Sequence, residues 1–250
     1  MALLALAFAV PAVSHADPCP KAAATATLQA PAPASAAQIL DAALSERIEA
    51  VRASEGMGIL ETHAVLSEIA AAHARDMAER GYAADVTPEG LSLLDQVRLA
   101  DRQSLFSTFG TNIAIAGADA SADDLHSAVM SSENNAANIR RAGFSHIGVG
   151  SAEQDGRVYV VQLFAKIDGS LDQPLPVQAG MAPSLRTSLT GARMVPVSWS
   201  VSGQDGALLL RGSGERLRDG RGQPVEGYLN LDVAVGQDVY TLRGPFVRMN

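Results

Sequence analysis

Apolar residues recur at three- and four-residue steps from Ile39 through Leu40, Leu44, Ile48 and Val51, until Gly56 and Gly58 interrupt them. That spacing predicts a helix with one buried stripe. A second stripe of Val65, Leu66, Ile69, Ala70, His73 and Met77 predicts a helix from about Glu61 to Arg80, stopped by Gly81. A shorter helical segment is expected from Leu91 to about Leu99. Ser121-Ala122-Asp123-Asp124 has N-cap chemistry for a helix through Met130. The pattern then changes to runs at His146–Ser151 and Arg157–Ile167, which read as strands joined by the turn Glu153-Gln154-Asp155-Gly156.

Residues 169–184 hold Pro174, Pro176 and Pro183 with Gly169 and Gly180 and show no periodicity, which predicts a linker. Beyond it the text is purely strand-like, at Arg193–Val201, Ala207–Arg211, Tyr228–Val235 and Val239–Leu242. The expected class is α+β: a helix-and-strand domain over 38–168, an α/β/α sandwich with an antiparallel sheet, followed by a separate small β-domain over 185–250. The pieces Val197-Ser198-Trp199-Ser200-Val201-Ser202-Gly203 and Tyr240-Thr241-Leu242 resemble immunoglobulin-like modules of bacteria, in which a buried Trp packs between two sheets.

At the other end, Leu3-Leu4-Ala5-Leu6-Ala7-Phe8-Ala9-Val10 followed by Ser14-His15-Ala16 reads as the apolar core and cleavage site of an export signal over residues 1–16. The run is too short to span a bilayer. Residues 17–37 are Ala, Pro, Thr and Ser with almost no large apolar side chain, so they are expected to be a disordered linker. Cys19, the single cysteine, has no internal disulfide partner. The expected location is secreted, periplasmic or cell-envelope.

The formal net charge is −8, and residues 38–168 carry ten Lys/Arg against nineteen Asp/Glu. An acidic domain repels phosphate backbones, so nucleic acid is excluded as an expected partner. No phosphate loop, zinc-protease helix, paired-cysteine site or Gly-x-Ser-x-Gly elbow occurs. No cofactor, metal site or catalytic residue is therefore expected.

Gly143-Phe144-Ser145-His146-Ile147-Gly148-Val149-Gly150, with Ala136-Ala137-Asn138-Ile139 before it and Tyr159-Val160-Val161-Gln162-Leu163-Phe164 after it, resembles the end of a CAP domain. CAP domains form the superfamily of cysteine-rich secretory, antigen 5 and pathogenesis-related 1 proteins. Ala70, His73, Ala74, Asp76, Met77 and Ala78 match the family's helix, while Glu49, Arg52 and Gly56 echo the helix before it. By this resemblance the family's first cleft His falls on Asp85, its cleft Glu on Thr111 of Gly110-Thr111-Asn112-Ile113-Ala114, and its second cleft His on Asn135.

Two imidazoles and a carboxylate could hold a metal or move protons near neutral pH. A carboxylate, a hydroxyl and an amide are a weak set for zinc, and one carboxylate gives poor calcium affinity. Asp85, Thr111 and Asn135, with His126 on the neighbouring helix, are the ligand-cleft candidates. His73 reads as a core histidine, His63 as a surface residue and His146 as the head of a strand. The resemblance implies an exported, non-catalytic binding module for an extracellular peptide, glycan or lipid. A hydrolase or peptidase with a rebuilt cleft, and a structural spacer of the envelope, stand as alternatives.

Overall fold

The structure, a computed structural model, describes residues 34–180, 182–191, 193–218 and 224–249. The expected export signal and most of the Ala/Pro segment lie outside them. Ser35 caps the first helix, α1 (Ala36–Ser54), through a reciprocal box with Gln38, so the helix begins inside the segment read as linker. Its register buries Leu44, Ile48 and Arg52. Glu61–Thr62 forms strand β1 rather than the start of a helix, because His63 takes the N-cap position of α2 (Ala64–Arg80). Gly81 ends α2 in the left-handed conformation, with φ 69°. Helix α3 (Leu93–Ala100) and strand β2 (Ser104–Gly117) follow. Next come α4 (Ala122–Met130), α5 (Glu133–Ile139), β3 (His146–Gln154) and β4 (Arg157–Leu171).

β1, β3, β4 and β2 lie side by side in that order. Side chains alternate across the sheet, and each face has its own core. Leu44 and Ile48 of α1, Leu125 and Val129 of α4 and Ile139 of α5 cover Ile147, Val149, Val160 and Phe164 on one face. Leu66, Ala70, Ala74 and Met77 of α2, with Leu93 and Val97 of α3, cover Val161, Leu163 and Ala165 on the other. This is the expected α/β/α sandwich. Gly148 and Gly150 let α2 lie directly on β3: a Cβ on Gly148 would meet the backbone of Leu66 and Ser67, and one on Gly150 the backbone of Ala70 and Ala71.

The chain beyond Leu171 departs from the expected separate module. β7 (Met194–Ser202), β8 (Leu208–Gly212), β9 (Val225–Val235) and β10 (Asp238–Met249) continue the first sheet, in the order β2-β10-β9-β7-β8. β10 joins β2 at the single pair Arg243 and Phe106. Among the described residues these strands belong to one sheet, so the two facing sheets of an immunoglobulin-like module are not seen.

Residues 169–184 are not a free linker either. Short strands β5 (Gln178–Ala179) and β6 (Thr187–Leu189) pair with β10 and β4. Leu171, Leu175, Ala179 and Leu185 are buried against Trp199, Val201, Leu229, Leu231 and Leu242. The prolines make the segment aperiodic, but its spaced leucines supply the cover that the apolar face of the C-terminal strands requires. The described residues from Ala34 onward accordingly form one compact unit. No helix among the described residues is long and apolar enough to cross a membrane.

Candidate functional site

Past Phe106, β2 has a strand neighbour on one side only among the described residues, since β10 pairs with it at that one position. The candidate cleft lies along this open flank. Thr111 pairs with Leu163 and Asn112 with Gln162, which sets their side chains on opposite faces. Thr111 therefore shares the α2/α3 face with Leu163, and Asn112 faces α5. Gly110 is glycine for a steric reason, because a Cβ there would lie 2.8 Å from the Phe144 ring and 3.0 Å from Asn138 Oδ1.

An amide network closes the α5 side. Asn112 Nδ2 donates to the Asn135 carbonyl at 3.1 Å and to Gln162 Oε1 at 3.1 Å. Asn138 Nδ2 donates to the Thr111 carbonyl at 3.1 Å and to Asn112 Oδ1 at 3.0 Å. Asn112 and Gln162 are almost wholly buried. Their hydrogen bonds fix α5 to the open flank of β2 by side chains instead of by a strand.

Asp85 is exposed in the loop after α2, beside the bridge between Val86 and Ser92, and its carbonyl accepts from Leu93 N at 2.9 Å. Thr111 and Asn135 are half-buried. His126 is half-buried on α4, with Nδ1 enclosed and unpartnered among the described residues. Its pKa is pushed below the ordinary histidine value, first by burial and then by Arg47, against the pull of Asp123. The network ties Thr111 and Asn135 together through their carbonyls. Asp85 and Thr111 stand on the α2/α3 side of the sheet, Asn135 and His126 on helices of the other, and among the described residues no hydrogen bond joins any two of the four side chains.

His73 is a core histidine as expected: Nε2 lies 2.7 Å from the Ala84 carbonyl and Nδ1 3.3 Å from Gln96 Nε2. His63 is not a surface residue. Its Nδ1 accepts from Leu66 N at 3.4 Å, capping α2, and its Nε2 sits 3.5 Å from buried Asp101 Oδ2. The His63 and His146 rings meet edge to face at 5.8 Å, and His146 Nε2 is 3.6 Å from Glu61 Oε2. Burial, and secondarily His63, pushes the His146 pKa down, while Glu61 opposes. This second cluster was not singled out from the sequence, since its members are brought together by the pairing of β1 with β3. It opens on a cavity of about 810 Å³ between β3, β4 and β6, lined among others by Glu61, Ser145, His146, Lys166 and Asp168. Among the described residues no three His, Cys, Asp or Glu side chains group as metal ligands.

Residues 46–164 match the model of the cysteine-rich secretory protein family, CAP. No curated protein matches the chain. Among solved structures, an extracellular protein containing an SCP domain from Bacillus anthracis is 17% identical with a TM-score of 0.42, over 54% of this chain and 45% of that one. An outer surface protein of Borrelia burgdorferi is 17% identical with a TM-score of 0.45, over 52% of this chain and 94% of that one. A cysteine-rich secretory protein from Staphylococcus aureus is 18% identical with a TM-score of 0.39, over 54% and 41%. The chain thus spans less than half the length of the Bacillus and Staphylococcus proteins.

Proposed function

We propose that the protein is exported and uses residues 46–164, the part that matches the CAP model, to bind an extracellular ligand without transforming it. What supports this reading is the open flank of β2, where the amide network joins the Thr111 and Asn135 carbonyls; by the family resemblance these two residues and Asp85 of the loop after α2 take the places of its reactive side chains. These groups can accept and donate hydrogen bonds to a peptide, glycan or lipid headgroup. They lack the paired imidazoles that proton transfer near neutral pH asks for. The apolar run Leu3–Val10 and the cleft chemistry together favour a periplasmic, cell-envelope or secreted location.

The experiment compares the natural protein with a triple variant, Asp85→His, Thr111→Glu and Asn135→His. Calorimetric titration should give zinc binding no tighter than about micromolar for the natural protein, roughly −8 kcal/mol, and a tighter site in the variant. Co-sedimentation with purified peptidoglycan and flotation with phosphatidylglycerol vesicles should then reveal saturable capture, while labelled casein stays uncleaved. Cleavage of casein that Asp85→Ala abolishes overturns the reading.

One observation favours a hydrolase instead. Ser145 Oγ lies 2.7 Å from His146 Nδ1, with Glu61 beyond the far ring nitrogen. The same hydroxyl oxygen, however, accepts from Ile167 N at 3.1 Å, a structural role that ties it to β4. Hydrolysis of a nitrophenyl ester that Ser145→Ala abolishes is the result that would put this reading first.

A further inference from the structure

The sheet ends at β8, which pairs with β7 and, among the described residues, has no strand on its other side. A free edge of this kind presents backbone N–H and C=O groups ready for another strand. Protected edges carry inward charges, prolines or very short strands. β8 has a bulge at Leu209, where its register with β7 shifts, yet it reads Leu208-Leu209-Leu210-Arg211-Gly212, with Leu208 62% and Leu209 46% exposed. Exposed leucines on an unpaired edge mark a contact surface.

The edge faces an open groove of about 860 Å³, walled by β8 and the turn that follows it to Arg218. The groove carries surplus positive charge within an acidic protein. Glu215 is neutralised by Arg186, at 2.9 Å. Arg211 is 3.9 Å from Asp232, whose carboxylate already accepts from Ser198 and Thr241. Among the described residues Arg216 meets only the Ala182 carbonyl, at 3.0 Å, and Arg218 lines the same wall.

We infer that this groove binds an extended acidic peptide, which adds to β8 as a further strand. The register of β8 states what that peptide must carry. Leu210 pairs with buried Val201 and shares its face, whereas Arg211 pairs with Ser200 on the opposite one. Past the bulge at Leu209, a strand laid against Leu210-Arg211-Gly212 therefore needs an apolar side chain on the Leu210 face and a carboxylate on the Arg211 face. This site is independent of the CAP cleft.

The protein contains one tryptophan, and Trp199 lies in this groove, stacked across Gly212 of β8. Its fluorescence is the natural readout. The full-length protein is titrated with a capped nonapeptide alternating Glu and Val, and with its Lys and Val counterpart. The Glu peptide should give a saturable change in Trp199 emission that weakens about tenfold or more at high salt, where charges are screened; the Lys peptide should give none. Arg211→Glu and Leu209→Lys should each abolish the response, while Asp85→Asn in the CAP cleft leaves it unchanged. Circular dichroism and the unliganded emission spectrum establish that the variants fold. An equal response to both peptides, or one that survives both β8 substitutions, overturns the inference. So does a concentration-dependent dimer in sedimentation that Leu209→Lys dissolves, which would assign the edge to a second copy.

Discussion

Arg98 Nε donates to the carbonyl of Gly244 at 2.7 Å, so a side chain of helix α3 is seated inside the C-terminal sheet. Between Arg243 and Phe246 the β10–β9 register shifts, and Gly244-Pro245 leaves the ladder there. Arg98 satisfies the carbonyl that the bulge releases, and its Nη2 reaches Leu229 O at 2.6 Å and Asn230 Oδ1 at 3.0 Å. Its guanidinium also lies 4.6 Å from the centre of the Tyr228 ring. Burial without a hydrogen-bonded carboxylate pushes its pKa down to about 10. Arg102, one turn on, adds Leu175 O at 2.8 Å and Phe246 O at 2.5 Å.

Arg98→Met should destabilise the protein by about 2–4 kcal/mol, because it strands several buried acceptors at once. Arg98→Lys should recover little of this, since one ammonium cannot reproduce the planar fork. Urea denaturation followed by circular dichroism measures both.

Removing residues 185–250 should leave an insoluble remainder. Truncation uncovers Leu105, Leu171 and Leu175 and leaves Arg98 without its acceptors. The full chain should unfold in one calorimetric transition; two well-separated transitions would show that the halves are autonomous after all.

Asp41 on α1 has its pKa raised to about 6, chiefly by burial, with the Ser151 hydroxyl opposing. The folded state thus binds the proton more tightly than the unfolded chain, in which the carboxyl titrates near 3.8. Its contribution favours folding below that lower value, and is lost as pH rises through about 6. Because the group is partly exposed, the loss is about 1–2 kcal/mol. Asp41→Asn should remove this slope and raise stability at pH 7, as read from urea midpoints at acidic and neutral pH.

Gly150→Ala should cost about 3 kcal/mol or more, since the added methyl meets helix backbone that cannot swing aside. Ser151→Ala, one residue on, should cost far less. The pair separates backbone collision from loss of a side chain.

His146 should titrate below the ordinary histidine range, as followed by NMR of its ring proton. Glu61→Gln should lower the value further and His63→Gln should raise it, because the first removes a neighbouring negative charge and the second a competing positive one.

Where the chain was legible, local chemistry fixed the element. The 3.6-residue stripes located α1 and α2, Ser121 opened α4, and Gly81 closed α2. β2 escaped notice because Ser104–Gly117 is largely Ser, Thr, Gly and Ala, and both its faces are partly covered, which erases the alternation. The segment 169–184 looked like a linker because prolines suppress periodicity, and nothing local reveals that Leu175 and Ala179 pack on strands formed much later in the chain, as far as Met249. Family motifs singled out Asp85, Thr111 and Asn135, which lie in the loop after α2, on β2 and on α5. They did not state which face each occupies, which depends on the pairing of Thr111 with Leu163. His63 and His146 meet only through a strand pair, so neither carried a signal of its own.

A sheet that runs from β1 to β8, through the one pair of Arg243 with Phe106, also acts as a ruler. Two binding surfaces joined by a supple tether can be drawn together by almost any bivalent target, and the tether's length sets their effective concentration. The two surfaces proposed above, the cleft flank of β2 and the groove of β8, are held apart by β10, β9 and β7, with Arg98 and Arg102 pinning the angle. Only a target whose own two features match that fixed interval gains avidity, and one of the wrong spacing is held at a single point, however long it is.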